Sequence, residues 1–580
     1  MKRLLLFFFF LGYIIYPSFY IQEEKWARLC LLFFYIFLFG ILTRITPDKD
    51  NLKLSIPYLK YLLIPFSLGL VSHLWFWSLP IPTLEDFQGY CGVPAVLFYK
   101  ISPYIPRIFL VILSIVAFTI LIFYLSGKGR RIWYIFFTFV ILLDILVIFF
   151  ISLESIGKIY HIFRHPPLHK VLYILGYFFF GIHEWVGNFI QYLFLSGAGI
   201  YVGKIVELLL GKKDKFYFIT GFSLTLFFPT FFHFTNFCGL TGGELFFVSG
   251  SLYYFISFLN NKEERPWFYC MSIIAIGFTY ERTITSILLC ILFFIAIKER
   301  GKIPFPKYVL IPLIFGLPFI IVSYSFRNIP LVFMWLNNPS SLLLPLKQIY
   351  ISIGPIISIF VLFSFIYFIT SRNAWILYLY FFYYYIFINS TGAFGIIRHA
   401  QHYYLILNIL LCLFVAKIKK PLLLIFLLLI MLYQGAISPS SLLLNLFNFQ
   451  KKEWTAGYGF MPHREAMSYI KKNLPERTKI YGPSFCDPTL FYIAKYNILE
   501  DNWIKFPLLK EWKDLISFYK WLRKNNIDYV LLPLTYGVPD LYEIVNIYLC
   551  KEIYQDREYF RIEKVFYFGE NSLFLAKVIK

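Results

Sequence analysis

From Lys2 to about Ile437 the chain repeats one pattern: an apolar run long enough to form a membrane helix, then a short loop carrying lysine and arginine. A hydrocarbon layer about 30 Å thick takes about 20 apolar residues per helix, and runs of that size follow one another until Ile437 and then stop. The composition agrees: 59% of residues are hydrophobic and 22% aromatic, with a mean hydropathy of +0.68. The bilayer is the solvent for most of such a chain. From about Ser438 charges recur every few residues, as in a water-facing domain. The expectation is a polytopic α-helical membrane protein with a C-terminal soluble α/β domain.

The charge alternates between loops. Lys2-Arg3 is placed inside, Glu23-Glu24 outside, Arg44, Lys49 and Lys53 inside, and Glu85-Asp86 outside. Lys128, Arg130 and Arg131 return inside, and the helix from Ile132 to Ser152 exits beside Glu154. The segment Val171 to Phe180 is too short to cross and suits an interfacial helix. Later spans are read near 186–209, 216–233, 246–260, 266–280, 283–298, 307–325, 348–370, 374–392, 399–416 and 421–437. The positive-inside rule then gives about fifteen helices, N-terminus inside and C-terminus outside. Lys2-Arg3 and the run Leu4 to Tyr20 look like a signal sequence without a small-residue cleavage site, and are read as an uncleaved first span. The formal net charge of +22 does not point to nucleic acid, because the membrane-part cations lie in short loops and no basic, aromatic-interleaved patch stands outside the spans.

The eight cysteines contain no C-x-x-C pair and no zinc spacing. Cys30, Cys270, Cys290 and Cys412 read as packing residues in apolar runs. Cys91, Cys238, Cys486 and Cys550 fall on the outer side, where a disulfide among them could form. In the C-terminal part, Arg464 to Asn473 and Leu509 to Asn525 have helical spacing. Lys479 to Tyr481 and Asp528 to Pro533 read as strands, and Asn571 to Val578 as an edge strand. No glycine-rich phosphate loop, G-x-S-x-G or metal cluster appears there.

Ionisable groups in or beside membrane spans are costly and mark candidate function. Glu154 is the first candidate: a carboxylate just outside a helix, able to accept a proton from a hydroxyl. Arg164, His165 and His169 follow it on the same side, against the positive-inside trend, as though something anionic compensates them. Glu85 and Asp86 are the rival acids. Glu244 lies in the turn Cys238-Gly-Leu-Thr-Gly-Gly-Glu, where glycines allow close backbone approach. Glu281 and Arg282 share a very short turn, and Arg398, flanked by His399 and His402, opens a late helix. A guanidinium fork suits phosphate oxygens.

Glu154, His165-Pro166-Pro167-Leu168, the aromatic run to Phe180-Gly181 and the long helix after it resemble the GT-C glycosyltransferases. The nearest branch in this resemblance is that of protein O-mannosyltransferases and lipid A aminoarabinose transferases. Pro229 followed by Glu244, the turn Gly277-Phe-Thr-Tyr-Glu-Arg-Thr, and Arg398 to Tyr404 resemble further parts of that branch. The family's Asp-Glu pair is Leu153-Glu154 here, with Gly157 in place of its tyrosine. The resemblance divides the chain into N-terminal transmembrane helices (1–130), a GT-C-like core (131–437) and an extracytoplasmic α/β domain (438–580). It implies inverting transfer of a sugar from a polyprenyl-phosphate carrier to a lipid, glycan or protein acceptor on the outer face of the cytoplasmic membrane. On that reading Glu154, or alternatively Glu85 or Asp86, is the base. Arg164, His165, Glu244, Arg282, Arg398 and His402 surround the substrate and its phosphate. Related enzymes differ in using a divalent metal, and nothing in this sequence requires one. Two other readings stay open: a lipid or glycan transporter or flippase, and a non-catalytic scaffold whose tail binds a partner.

Overall fold

The computed structural model describes residues 58–77, 91–101, 168–236, 239–298, 303–313, 349–350, 352–371, 374–390, 401–433, 461–482, 489–504, 507–535, 546–568 and 571–579. Two helices come first, α1 (Leu59–Trp77) and the short α2 (Val93–Ile101). The 13-residue α3 (Leu168–Phe180) follows; at 1.5 Å per residue it spans about 20 Å, less than a hydrocarbon core. It is joined through Gly181, whose φ of +78° is open to glycine, to the 26-residue α4 (Glu184–Leu209). Then come α5 (Lys215–Phe227), α6 (Pro229–Thr235), α7 (Thr241–Asn261) and α8 (Glu264–Tyr280). A 3-10 turn (Arg282–Ile284) leads into α9 (Thr285–Lys298). The last apolar helices are α10 (Pro355–Phe368), α11 (Trp375–Ser390), α12 (Gln401–Ile418) and α13 (Pro421–Leu432). Among the described residues, α4, α7 and α12 are each long and apolar enough to cross a membrane, and the bent pair α5–α6 makes a fourth.

The sequence reads 216–233 as one span, but the structure breaks it at Phe228, where α5 and α6 meet at 55°. Pro229 is the cause. A residue before proline is driven out of the helical region, and Phe228 sits at φ −59°, ψ 125°. The helices pack in the order α5, α4, α7, α8, and α12 packs on α5. The α4–α5 crossing is close because glycines face each other: a Cβ on Gly221 would lie 2.6 Å from the Gly203 Cα. Small residues allow such backbone approach where lipid supplies no hydrophobic drive. At the end where α5 begins and α12 finishes, Asp214 caps α5 by accepting from the Phe216 N–H and pairs with Lys419 at 2.6 Å.

The α/β domain begins with α14 (His463–Asn473), β1 (Ile480–Tyr481), α15 (Thr489–Lys495) and β2 (Trp503–Ile504). It continues with α16 (Leu515–Lys524), β3 (Tyr529–Thr535), α17 (Ile547–Gln555), β4 (Phe560–Phe568) and β5 (Asn571–Val578). The sheet order is β2-β1-β3-β5-β4, parallel through β3 and antiparallel beyond. Two expectations are corrected. Asn571 to Val578 is not an edge strand but lies between β3 and β4. Its run Ser572 to Ala576 is buried throughout, the mark of a strand covered on both faces. β4, with Arg561, Glu563 and Lys564 along it, forms the edge, as charged strands do. Leu509 to Asn525 is not one helix: the chain leaves a 3-10 turn at Trp512, and Asp514 starts α16 by accepting from the Ser517 N–H at 2.7 Å. Cys550 is a buried free thiol, so it takes no part in a disulfide.

Among the described residues, the α/β domain is fastened to the helical part by strong charge at Glu184. Glu184, the first residue of α4, is buried and takes Arg464 Nε on one oxygen at 2.9 Å and Lys495 Nζ on the other at 2.5 Å. Alongside, α15 packs on α2, and the Phe491 ring stands 6.2 Å from that of Tyr177 on α3. Replacing Glu184 by Gln keeps the shape and leaves two half-buried cations poorly answered, a loss of about 1.5–3 kcal/mol, the range for a hydrogen bond to a charged group. Limited proteolysis should then release or degrade residues 461–579 faster than in the wild type, with the helical part intact.

Candidate functional site

Beside the docked α/β domain, the starts of α3, α4, α7 and α12 and the end of α8 place charged and polar side chains in an apolar bundle. α3 contributes His169 and Lys170 in its first turn, both buried. The end of α8 contributes Tyr280, followed by the buried Glu281. Helix α3 packs on α8, and the Glu281 carboxylate acts on Lys170. Burial pushes the Lys170 ammonium down to about 7, with Glu281 pulling the other way. The His169 ring stands edge-on to Tyr173 and Tyr280, with centroids 6.4 and 6.2 Å away.

Glu244 lies in the first turn of α7, half-buried, and accepts from the Thr283 hydroxyl at 3.1 Å. Thr283 belongs to the 3-10 turn that Arg282 opens. The Ser286 hydroxyl donates to the Thr283 carbonyl at 2.8 Å and lies 3.1 Å from the Tyr380 hydroxyl. Tyr380 in turn meets His402 Nδ1 at 2.9 Å, and the His402 ring stacks on Tyr384 with centroids 4.3 Å apart. His402 Nε2 has no hydrogen-bond partner among the described residues. A chain of contacts thus runs from Glu244 through Thr283, Ser286 and Tyr380 to His402.

Two glycines let α7 come this close. A Cβ on Gly242 would lie 2.2 Å from the Gln191 carbonyl oxygen, and one on Gly243 2.1 Å from Tyr280 Cζ. Both distances are far inside van der Waals contact, so any side chain here would separate α7 from α4 and α8. Gly243→Ala should therefore destabilise the protein by about 1–3 kcal/mol, the usual cost of overpacking, measured as a lowered thermal midpoint in detergent. The same substitution at Gly211, where a Cβ meets nothing within 4 Å but φ is +69°, gives the cost of backbone strain alone for comparison.

Of the residues singled out from sequence, the structure brings Glu244, His402 and the turn of Arg282 to one end of the bundle. Arg282 is described by its backbone alone. Glu154, Glu85, Asp86, Arg164, His165 and Arg398 lie outside the described residues. Sequence reasoning named His169 and Glu281 only in passing and missed Lys170, Gln191, Tyr173, Tyr280, Ser286 and Tyr380. The available signal was a polar residue in or at the edge of an apolar run: Gln191 interrupts one, and Lys170 stands immediately before the run Val171 to Phe180. Among the described residues no three His, Cys, Asp or Glu side chains gather as a metal-holding group.

Residues 164–324 match the family described as dolichyl-phosphate-mannose-protein mannosyltransferase. The crystal structure of ArnT from Cupriavidus metallidurans bound to undecaprenyl phosphate superposes with a TM-score of 0.50 at 13% identity, covering 89% of this chain and 98% of that one. The apo structure of the same ArnT gives 0.48 at 13% identity, covering 90% and 98%. No curated protein sequence matches the chain. The fold is like that of the ArnT structure.

Proposed function

We propose that this chain transfers a sugar from a polyprenyl-phosphate-linked donor to an acceptor hydroxyl on the outer face of the cytoplasmic membrane, with inversion at the sugar. The observation that carries this reading is the gathering of Lys170, Glu281 and Glu244 at one end of the bundle, within the segment that matches a mannosyltransferase family. Buried charge of that kind is too costly to keep without a use. The ligand printed for the ArnT relative, undecaprenyl phosphate, supports the carrier class.

The chemistry needs few parts. The acceptor oxygen forms a bond to the anomeric carbon from the face opposite the phosphate, the bond from that carbon to the phosphate oxygen breaks, and the polyprenyl phosphate leaves with the electron pair. A carboxylate takes the acceptor proton. Glu154 is the proposed base, with Glu85 and Asp86 as alternatives. Arg164, His165, Arg282 and Arg398 are proposed to hold the phosphate, with Glu244 and His402 shaping the wall behind them. Lys170 is added as a cation for the same charge, since fixed positive groups in a water-poor site stabilise a departing oxyanion strongly. The N-terminus inside and the α/β domain outside complete this reading.

The first test is Glu154→Gln, with Glu85→Gln and Asp86→Asn beside it, assayed for transfer of a labelled sugar from a lipid-phosphate donor. Loss of the base should lower turnover by about 100-fold or more, and the variant that does so identifies the base; wild-type rates in all three would sink a carboxylate base at these positions. A second test uses charge. Lys170 carries its proton below about 7, so its contribution to binding an anionic lipid is present there and fades as pH rises through that value. Undecaprenyl phosphate should bind the wild type less tightly in alkaline buffer, while Lys170→Arg, charged throughout, should bind with a flatter pH profile.

A further inference from the structure

The groups that give the site its charge sit on three separate helices, and one neutral side chain touches a neighbour of each. Gln191, on α4, is fully buried. Its amide nitrogen donates to the Tyr173 hydroxyl on α3 at 3.1 Å and to the Tyr280 hydroxyl on α8 at 2.8 Å. Its amide oxygen accepts from the Gly243 N–H on α7 at 3.3 Å. Tyr173 lies one turn beyond Lys170, Tyr280 immediately before Glu281, and Gly243 immediately before Glu244. Tyr173 donates onward to the Gly239 carbonyl at 2.8 Å, in the turn that starts α7, and the Tyr280 hydroxyl has two acceptors in reach, the Leu240 carbonyl of that turn at 3.3 Å and the Gln191 amide oxygen at 3.2 Å.

We infer that Gln191 is the positioning residue of this site: its amide fixes α3, α7 and α8 against one another and so sets where Lys170, Glu244 and Glu281 stand. The chemistry of an amide explains the choice. The Tyr173 hydroxyl, its proton on the Gly239 carbonyl, presents an oxygen lone pair; the Tyr280 hydroxyl can both accept from the amide nitrogen and donate to the amide oxygen; and the Gly243 N–H presents a donor. Only a side chain with two N–H donors and one acceptor on a single planar group answers all three, which is what glutamine offers. A buried leucine would remove the hydrogen bonds that join Tyr173, Tyr280 and the Gly243 N–H to α4. A displacement of about 1 Å in a catalytic group can cost about 100-fold in rate, so the amide need not touch substrate to matter.

The role is separable from mere packing by a substitution that titrates. Gln191→Glu is the same size. Protonated, its acid O–H can donate to Tyr173 while its other oxygen accepts from Gly243; ionised, it can still accept from Gly243 and Tyr280 but donates to neither tyrosine, and it sets a charge against the Tyr173 oxygen, whose own proton is on the Gly239 carbonyl. The experiment uses the full chain in lipid nanodiscs, with Gln191→Glu and Gln191→Leu beside wild type, and undecaprenyl phosphate as the binding probe across a pH series. This readout rests on the proposed carrier class. A second readout does not: hydrogen exchange of the 239–245 segment, without ligand, as a ratio to wild type at each pH. Gln191→Leu is expected to weaken binding roughly 10- to 100-fold and to speed exchange at 239–245. Gln191→Glu should bind within roughly threefold of wild type in acid, where one hydrogen bond is restored, and fall toward the leucine variant as pH rises, with exchange following the same curve. Should the leucine variant fail to fold, the pH-dependent behaviour of Gln191→Glu decides alone. Wild-type binding and exchange in Gln191→Leu, or a Gln191→Glu protein insensitive to pH in both readouts, would overturn the assignment. If wild type does not bind undecaprenyl phosphate, the carrier class is wrong, and exchange at 239–245 then judges Gln191.

Discussion

Inside a bundle that excludes water, a polar side chain must find its partner on another helix, and this requirement organises the structure. Hydrocarbon packing would tolerate many arrangements of helices made largely of Phe, Leu, Ile and Tyr, because lipid tails are as apolar as the side chains themselves. Hydrogen bonds are less forgiving. Gln191 can meet Tyr173, Tyr280 and the Gly243 N–H together in only one arrangement of α3, α4, α7 and α8. Asn408 donates to the Thr225 hydroxyl at 2.9 Å and ties α12 to α5 in the same manner. The apolar residues make association favourable; these few polar ones select which association forms.

Function follows from where the selection is strictest. The same end of the bundle that holds Gln191 holds Lys170, Glu281 and Glu244, and the α/β domain is seated there as well. The far end, by contrast, has the ordinary furniture of a membrane-water boundary: Lys419 on Asp214, Lys307 on Glu264, and cations over tyrosine rings. Glu264 and Lys307 are substantially exposed, and such pairs contribute little. The asymmetry separates a site from a surface.

Much of this was legible in the sequence and some was not, for physical reasons. Apolar runs of membrane length announce helices, and α4, α7 and α12 lie where hydropathy puts them. Pro229 was visible, but its effect depends on whether neighbouring helices accommodate a bend, which is a tertiary matter. In the α/β domain the strand β5 was recognised by its apolar run, yet its place in the sheet was misread, because an end-of-chain strand carries no sequence mark of its neighbours. Glu244 stood out because glycines surround it. Gln191 did not, since a single glutamine in an apolar helix looks the same whether it faces a partner or a void. Its three contacts lie 18, 52 and 89 residues away, beyond any local pattern.

The seat of the α/β domain on Glu184 has one more consequence. A water-facing domain tethered by exposed ion pairs is loosened by ionic strength, because mobile ions screen charges that water already reaches. Here the carboxylate is shut away from solvent and answered on both oxygens, so electrolyte has little access to it. The contact between this domain and the helices should therefore persist at salt concentrations that loosen exposed ion pairs.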